Sequence, residues 1–282
     1  MTNRGHCLCG KVTWELLAEP FHAFNCHCRM CQKVHGAPFG TYWFMRPDAF
    51  RWTGATDTVI GYRSSANLVR QSCDVCGSVV PYPSSTGEVW VAPAGCHDTG
   101  RRSDCNIFVV DNAPWHTISG DLPRHPAYPE DTGYPSVPGP PPPGRADGPL
   151  HGSCLCGAVA YEVGTPLTAV YNCHCGRCRH GRAAAHATNG FAAAAGVRFV
   201  RGEEMLRHYK VPDARFFTQV FCRVCSSLMP RIDTARDRAV IPMGGLDDDP
   251  GMASSCHIHV ANKAPWHDIT DGKPQYPQGL PA

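Results

Sequence analysis

Seven cysteines recur in the same order in the two halves of this chain, and no other feature limits its fold as strongly. In the first half they are Cys7, Cys9, Cys26, Cys28, Cys31, Cys73 and Cys76; in the second, Cys154, Cys156, Cys173, Cys175, Cys178, Cys222 and Cys225. The surrounding sequence repeats with them. "GHCLCGKVTWEL" at Gly5 returns as "GSCLCGAVAYEV" at Gly152, and "CDVCGSVVP" at Cys73 returns as "CRVCSSLMP" at Cys222. "CNIFVVDNAPWHTI" at Cys105 returns as "CHIHVANKAPWHDI" at Cys256. The offset grows from 147 to 149 to 151 residues while the order is kept, so the chain reads as two copies of one domain. Its 282 residues suffice for two domains of ordinary size, each burying its own core.

Between the copies lies "AYPEDTGYPSVPGPPPPGRADGPL", whose Pro and Gly content sustains neither a strand ladder nor a helix. The expected organisation is a first zinc domain over 1–126, a Pro/Gly-rich linker over 127–149 and a second zinc domain over 150–282. The linker reads as an extended spacer with no binding role. Within each copy the periodicity is mostly two. "KVTWEL" and "AVAYEV" alternate apolar and polar residues, while "EVWVAPAG", "RAVIPMGG", "NIFVV" and "HIHVA" are short apolar runs suited to strands. Frequent turn residues fit antiparallel hairpins. The fold class is therefore mainly β, with the best helical candidates just after Cys31 and Cys178.

Charge excludes little and favours less. Charged residues make up 18% and the net charge is +2, so nothing in the balance calls for nucleic acid or an anionic membrane as partner. A small anionic ligand held by local arginines fits the same numbers. No stretch approaches eighteen apolar residues, and "MTNRGHCLCGKVTW" lacks the features of a signal peptide, so a cytoplasmic, soluble protein is expected. In a reducing compartment, seventeen cysteines, an odd number, point to metal ligation rather than disulfides. Oligomeric state is not readable.

Zinc favours tetrahedral thiolate coordination, and a Cys-x-x-Cys turn aims two sulfurs at one ion. Pairing Cys7 and Cys9 with Cys73 and Cys76, and Cys154 and Cys156 with Cys222 and Cys225, closes one four-cysteine structural site per copy. The triplets Cys26, Cys28, Cys31 and Cys173, Cys175, Cys178 remain. Three protein ligands with the fourth position free are the usual form of a catalytic zinc, because water or a substrate atom takes that position. The expectation is two zincs per domain, about four per chain. Rival readings stay open: a structural triplet completed by another ligand, redox use of the pairs, or iron–sulfur ligation, with which the spacing is also compatible. His27 and His174 are possible fourth ligands, but in extended backbone the middle residue points away from its neighbours. Cys105 and Cys256, each at a strand start, read as small buried hydrophobes.

The run of Gly5-x-Cys7-x-Cys9-Gly10, Cys26-His27-Cys28-x-x-Cys31, Gly36-Ala37-Pro38-Phe39, Cys73-x-x-Cys76-Gly77 and Ala113-Pro114-Trp115-His116 resembles the glutathione-dependent formaldehyde-activating enzyme family, which includes centromere-protein-V-like domains. The resemblance covers nearly all of both copies. It implies two tandem Mss4-like zinc-binding β domains, each with a four-cysteine structural ion and a three-cysteine catalytic ion. It also implies a carbon–sulfur lyase reaction, the reversible joining of glutathione and formaldehyde as S-(hydroxymethyl)glutathione, or action on a related thiol adduct. The small-molecule partner expected is thus a thiol, glutathione or similar. The rival of another class is a non-catalytic, zinc-stabilised binding module.

The copies differ. The second has Ala183-Ala184-Ala185-His186 where the first has Gly36-Ala37-Pro38-Phe39, and Ser226 in place of Gly77. Substrate carboxylates need cations: Arg29, Lys33, Arg63 and Arg70 are candidates in the first copy, and Arg177, Arg179 and Arg215 in the second. For any one of them, solvated surface charge is the plainer role. His35, His180 and His186 are candidate general acids or bases. Trp115 and Trp266 read as core or interface aromatics.

Overall fold

The computed structural model describes residues 3–137, 139–146 and 148–281; positions 1, 2, 138, 147 and 282 of the expected domains and linker lie outside them. Among the described residues two α-helices stand among many strands, so the chain is mainly β. Each copy is built around a short central strand that ends in a cysteine. In the first, His22–Cys26 pairs antiparallel with Gly40–Met45 and parallel with Cys105–Ile107. In the second, Ala169–Cys173 pairs antiparallel with Ala187–Ala192 and parallel with Cys256–Ile258. Hairpin reasoning led to antiparallel ladders only. The parallel strands arise because Cys105 and Cys256 return from far along the chain, a crossover that a local turn pattern does not encode.

Smaller sheets flank each centre. Asn3–His6, Thr13–Leu16 and Phe50–Trp52 form one, and Val59–Ser65, Leu68–Cys73 and Val79–Val80 another. The strand Gly40–Met45, "GTYWFM", is buried along its whole length, and Trp14 and Trp43 are enclosed completely.

The helices α1, Arg29–His35, and α2, Gly176–Arg182, start three residues ahead of the position expected from sequence and so include Cys31 and Cys178. A sulfur sets the start. Cys28 and Cys175 are extended N-cap residues whose Sγ accepts from the backbone N–H of Cys31 and Cys178 at 3.4 Å. Helix α1 ends on Gly36 at φ 57°, and α2 ends on Ala183 at φ 52°. The second copy thus keeps the left-handed turn without the glycine that makes it easy, as it also does at Ser226 with φ 57°.

The copies dock reciprocally. Helix α1 packs on the turn Met243–Gly245 of the second copy, and α2 on the turn Ala94–Cys96 of the first. Both contacts need glycine: a Cβ on Gly244 would stand 2.2 Å from the Gln32 carbonyl oxygen, and one on Gly95 would stand 2.1 Å from the Ala184 nitrogen. Lys33 Nζ reaches Asp247 and Ser153 across the interface, and Arg179 reaches Asp98 from the other side. The terminal Ala-Pro-Trp segments are exchanged. Ala113 and Trp115 lie in the second copy's core, while Ala264 and Trp266 lie in the first's, where Trp266 meets Trp43 edge to face at 5.9 Å. The cores expected to be separate therefore share residues.

The connecting segment is more than a spacer. Tyr128, Tyr134 and Val137 pack on the first core, with Tyr134 stacked on Phe44 at 5.4 Å, and Gly144–Arg145 pairs with Asp248–Asp249. Aromatic residues set among the prolines supply the apolar area that holds the segment down. Among the described residues, no helix is long and apolar enough to cross a membrane.

Removing an exchanged indole should be felt by the whole molecule. Trp266→Ala is expected to cost about 3–5 kcal/mol, read as a lower urea midpoint, with one cooperative transition in parent and variant alike. Two separated transitions in the parent would mean that the copies fold independently.

Candidate metal centres

Cys7 and Cys9 sit in the turn before Thr13–Leu16, and Cys73 and Cys76 in the turn that ends Leu68–Cys73. Their four sulfurs converge, with Cys7 and Cys9 Sγ atoms 3.4 Å apart and those of Cys9 and Cys73 3.7 Å apart. In the second copy the spacings are 3.4 Å for Cys154 to Cys156 and 3.7 Å for Cys156 to Cys222, with Cys225 in the same group. A tetrahedron of sulfurs at the usual zinc–thiolate distance has edges of about 3.8 Å, so both donor sets fit one ion in size and chemistry. Backbone N–H groups of Val12 and Val159 support Cys7 and Cys154 at 3.4 and 3.2 Å.

The triplets form separately. Cys26 ends the central strand, Cys28 caps α1 and Cys31 lies in its first turn, which brings Cys31 Sγ to 3.5 Å from Cys26 Sγ. Cys173, Cys175 and Cys178 repeat the arrangement, and each triplet keeps its sulfurs within 4.8 Å of one another. Among the described residues there are therefore four cysteine groups, two of four and two of three, that could hold metal ions. The grouping places His27 and His174 outside all of them.

Around the first triplet the wall is mainly apolar. A cavity of about 140 Å³ reaches the three cysteines past Phe24, Phe44, Ile107 and Phe108, roofed by Tyr128, Tyr134 and Val137 of the connecting segment. Arg70 stands beside the sulfurs, its guanidinium donating to Cys31 Sγ at 3.4 Å and to the hydroxyl oxygens of Tyr42 and Tyr82 at 2.8 and 3.4 Å. Hydrogen bonds from Cys26 and Cys28, aided by the Arg70 charge, hold the Cys31 thiol well below the ordinary thiol range. Burial lowers His35 to about 4 and raises Tyr42 well above the ordinary phenol range, so both are neutral. His35 Nδ1 donates to the carbonyl of Arg182, which leaves Nε2 to accept from the Tyr42 hydroxyl.

The second triplet opens on a broad face. Its wall holds Arg177, Arg215, Phe216, Phe217, Arg231 and His259. Gln219, the counterpart of Arg70, instead donates to the carbonyls of Cys76 and Gly181. A different cation stands half-buried on this side: Arg182, the counterpart of His35, donates to Asn189 Oδ1 at 3.0 Å, and desolvation lowers it to about 10.

Of the arginines and lysine singled out from sequence, Arg70, Arg177 and Arg215 border the triplets. Arg29, Lys33 and Arg179 instead hold the interface, with Arg29 donating to the Leu246 carbonyl at 2.8 Å, and Arg63 lies on a hairpin. None of the three candidate acid–base histidines lines a triplet cavity. His35 lies behind Tyr42, and His180 Nδ1 donates to the His6 carbonyl at 2.9 Å within the interface, its ring stacked on that of His6. His186 belongs to a polar cavity between the copies, with His27, His116, His257 and His267. Sequence reasoning missed Tyr42, Tyr82, Arg182, Arg231, His259 and the roofing tyrosines. Aligning the copies residue by residue exposes the Tyr82/Arg231 and Arg70/Gln219 exchanges; nothing in the linker's composition exposes the roof.

Burial holds His116 and His267 at about 3, far below the 6.5 of a free imidazole. Above pH 6.5 they are neutral whether the chain is folded or not. As pH falls from 6.5 towards 3, the unfolded chain takes up protons that the folded chain refuses, so stability is lost through that window. Each such histidine contributes about 1.4 kcal/mol per pH unit. Urea unfolding at pH 6.5 and 4.5 should show a shallower loss in a chain carrying His116→Asn and His267→Asn than in the parent; an unchanged slope would contradict this.

The model of the family described as "Glutathione-dependent formaldehyde-activating enzyme" matches residues 2–111 and again residues 149–262. Among solved structures, the chain is similar to a crystal structure of a Rhodobacter sphaeroides protein, with 22% identity over 45% of this chain and 98% of that one, and a TM-score of 0.27. No curated protein matches it.

Proposed function

This chain belongs to the glutathione-dependent formaldehyde-activating enzyme family, and from that premise we propose that it is a zinc-dependent carbon–sulfur lyase acting on thiol adducts of small aldehydes. The observation that carries the proposal is the division of thiols: four complete one group in each copy and leave three at the floor of a cavity or face. In the joining direction a thiol S–H adds across the aldehyde C=O, forming a C–S bond and moving the proton from sulfur to oxygen. The reverse step breaks that bond and returns the aldehyde.

Cys26, Cys28 and Cys31, and likewise Cys173, Cys175 and Cys178, would hold the catalytic zinc, with the four-cysteine groups holding structural zinc. Zinc bound by three thiolates supplies a Lewis acid that favours a substrate thiolate and polarises a carbonyl oxygen. Arg70 balances the negative charge of the first triplet and fixes Cys31 and the Tyr42 ring. Tyr128 and Tyr134 line the cavity above it and reduce its contact with water, which strengthens the charge interactions below. The setting we propose is the reducing cytoplasm, where glutathione is an available thiol. A non-catalytic binding module is the second reading, favoured at the second copy by the open face over its triplet.

Metal analysis of protein reduced with a phosphine is expected to give about four zincs per chain, and two in a chain carrying both Cys28→Ser and Cys175→Ser. NMR exchange of formaldehyde with a panel of thiols should be accelerated by the parent and not by that double variant at matched fold by circular dichroism. Exchange at the spontaneous rate with every thiol would remove the proposal. Arg70→Met should weaken metal retention at the first triplet about 10–100-fold in chelator competition, as loss of a partner to a metal ligand does.

A further inference from the structure

We infer that the two triplets serve thiols of opposite character: an uncharged, apolar thiol at the first and an anionic one at the second. The inference rests on the lyase reading for its chemistry and on the cavity walls for its direction. The copies share a backbone plan, so counterpart positions can be compared one to one. Three wall positions change in the same sense. Met30 becomes Arg177, Tyr82 becomes Arg231 and Phe108 becomes His259.

The first wall carries one formal charge, Arg70, whose NH1 and NH2 groups already serve Tyr42, Tyr82 and Cys31 and whose Nε is unpartnered; its other polar groups, Ser65, Asn67, Ser84 and Ser85, are uncharged. Glutathione carries two carboxylates, and an anion buried without a partner is strongly disfavoured. Phe24, Phe44, Tyr128 and Tyr134 present a mainly apolar and aromatic lining suited to a hydrocarbon or aromatic group. Phe44 and Tyr134 stack at 5.4 Å, so the connecting segment is a fixed part of this wall.

The second wall presents three guanidinium groups and no carboxylate. Arg177 and Arg215 are exposed, and Arg231 is half-buried, with one NH group donating to the Phe216 carbonyl and, as at Arg70, its Nε unpartnered. Residues 173–262 alone make up this wall, so no segment from outside the copy roofs it. Arginine forks match carboxylates in shape as well as charge.

The test uses the full, zinc-loaded chain with one triplet silenced at a time, by Cys175→Ser or by Cys28→Ser. Equilibrium binding of 2-phenylethanethiol and of glutathione is measured by calorimetry, and exchange with formaldehyde by NMR. With only the first triplet intact, 2-phenylethanethiol should bind at least about tenfold tighter than glutathione, and with only the second the order should reverse. Equal preference at the two triplets overturns the inference, whether or not exchange is accelerated. The stated preferences without any accelerated exchange uphold the inference and sink the lyase reading. Should a silenced chain fail to fold, Arg177→Met with Arg231→Tyr in the otherwise intact chain decides the same point. Glutathione binding should fall about tenfold while 2-phenylethanethiol binding holds; unchanged glutathione binding overturns the inference.

Discussion

The convergence of Cys7 and Cys9 on Cys73 and Cys76 is the constraint on which the rest of each copy depends. It ties the first turn of the domain to the end of Leu68–Cys73, and that strand carries Arg70 three residues before its terminal cysteine. Fixing the strand sets the guanidinium beside Cys31. It also uses four of the seven thiols, and the remaining three stand as a separate group. A metal that binds only the folded arrangement adds its binding free energy to folding. The four-cysteine group thus acts as the frame for the three-cysteine one.

Reciprocal docking makes the duplication something other than two beads on a string. Gly95 and Gly244 admit the backbone of the other copy's helix end or the loop that follows it, and Trp115 and Trp266 fill each other's cores. Both triplet-bearing helices are therefore braced from across the interface. With the frame secured twice over, the walls were free to diverge: Arg70 has its counterpart in Gln219, and the half-buried cation near the second triplet comes from Arg182 instead. Ala183 and Ser226 keep left-handed backbone where the first copy has glycine, which shows how strongly the surrounding packing dictates the chain path.

Much of this was legible beforehand, for reasons that can be named. Order and spacing of cysteines survive any drift of the residues between them, so the repeat, the two kinds of thiol group and the mainly β character followed from the letters. Which core receives Trp115 was not legible, because the same Ala-Pro-Trp would bury as well at home as across the interface. Arg70 looked no different from Arg29 or Lys33, since a cation near a motif in sequence faces the site only if its strand or helix turns it that way. His35 and His186 read as acid–base groups because imidazole titrates near neutrality, yet burial and hydrogen bonding to Tyr42 or placement between the copies take them elsewhere. The Pro-rich run read as a spacer, and its tyrosines became a roof.

X-ray absorption at the zinc edge addresses the central point directly, that each copy carries one closed and one open thiolate site. Two four-sulfur and two three-sulfur sites give an average of about 3.5 sulfurs per zinc in phosphine-reduced protein, rising towards about four when a substrate thiol saturates the open positions. Four sulfurs around every zinc before any thiol is added, with no change on adding it, would contradict the open triplets and the chemistry built on them.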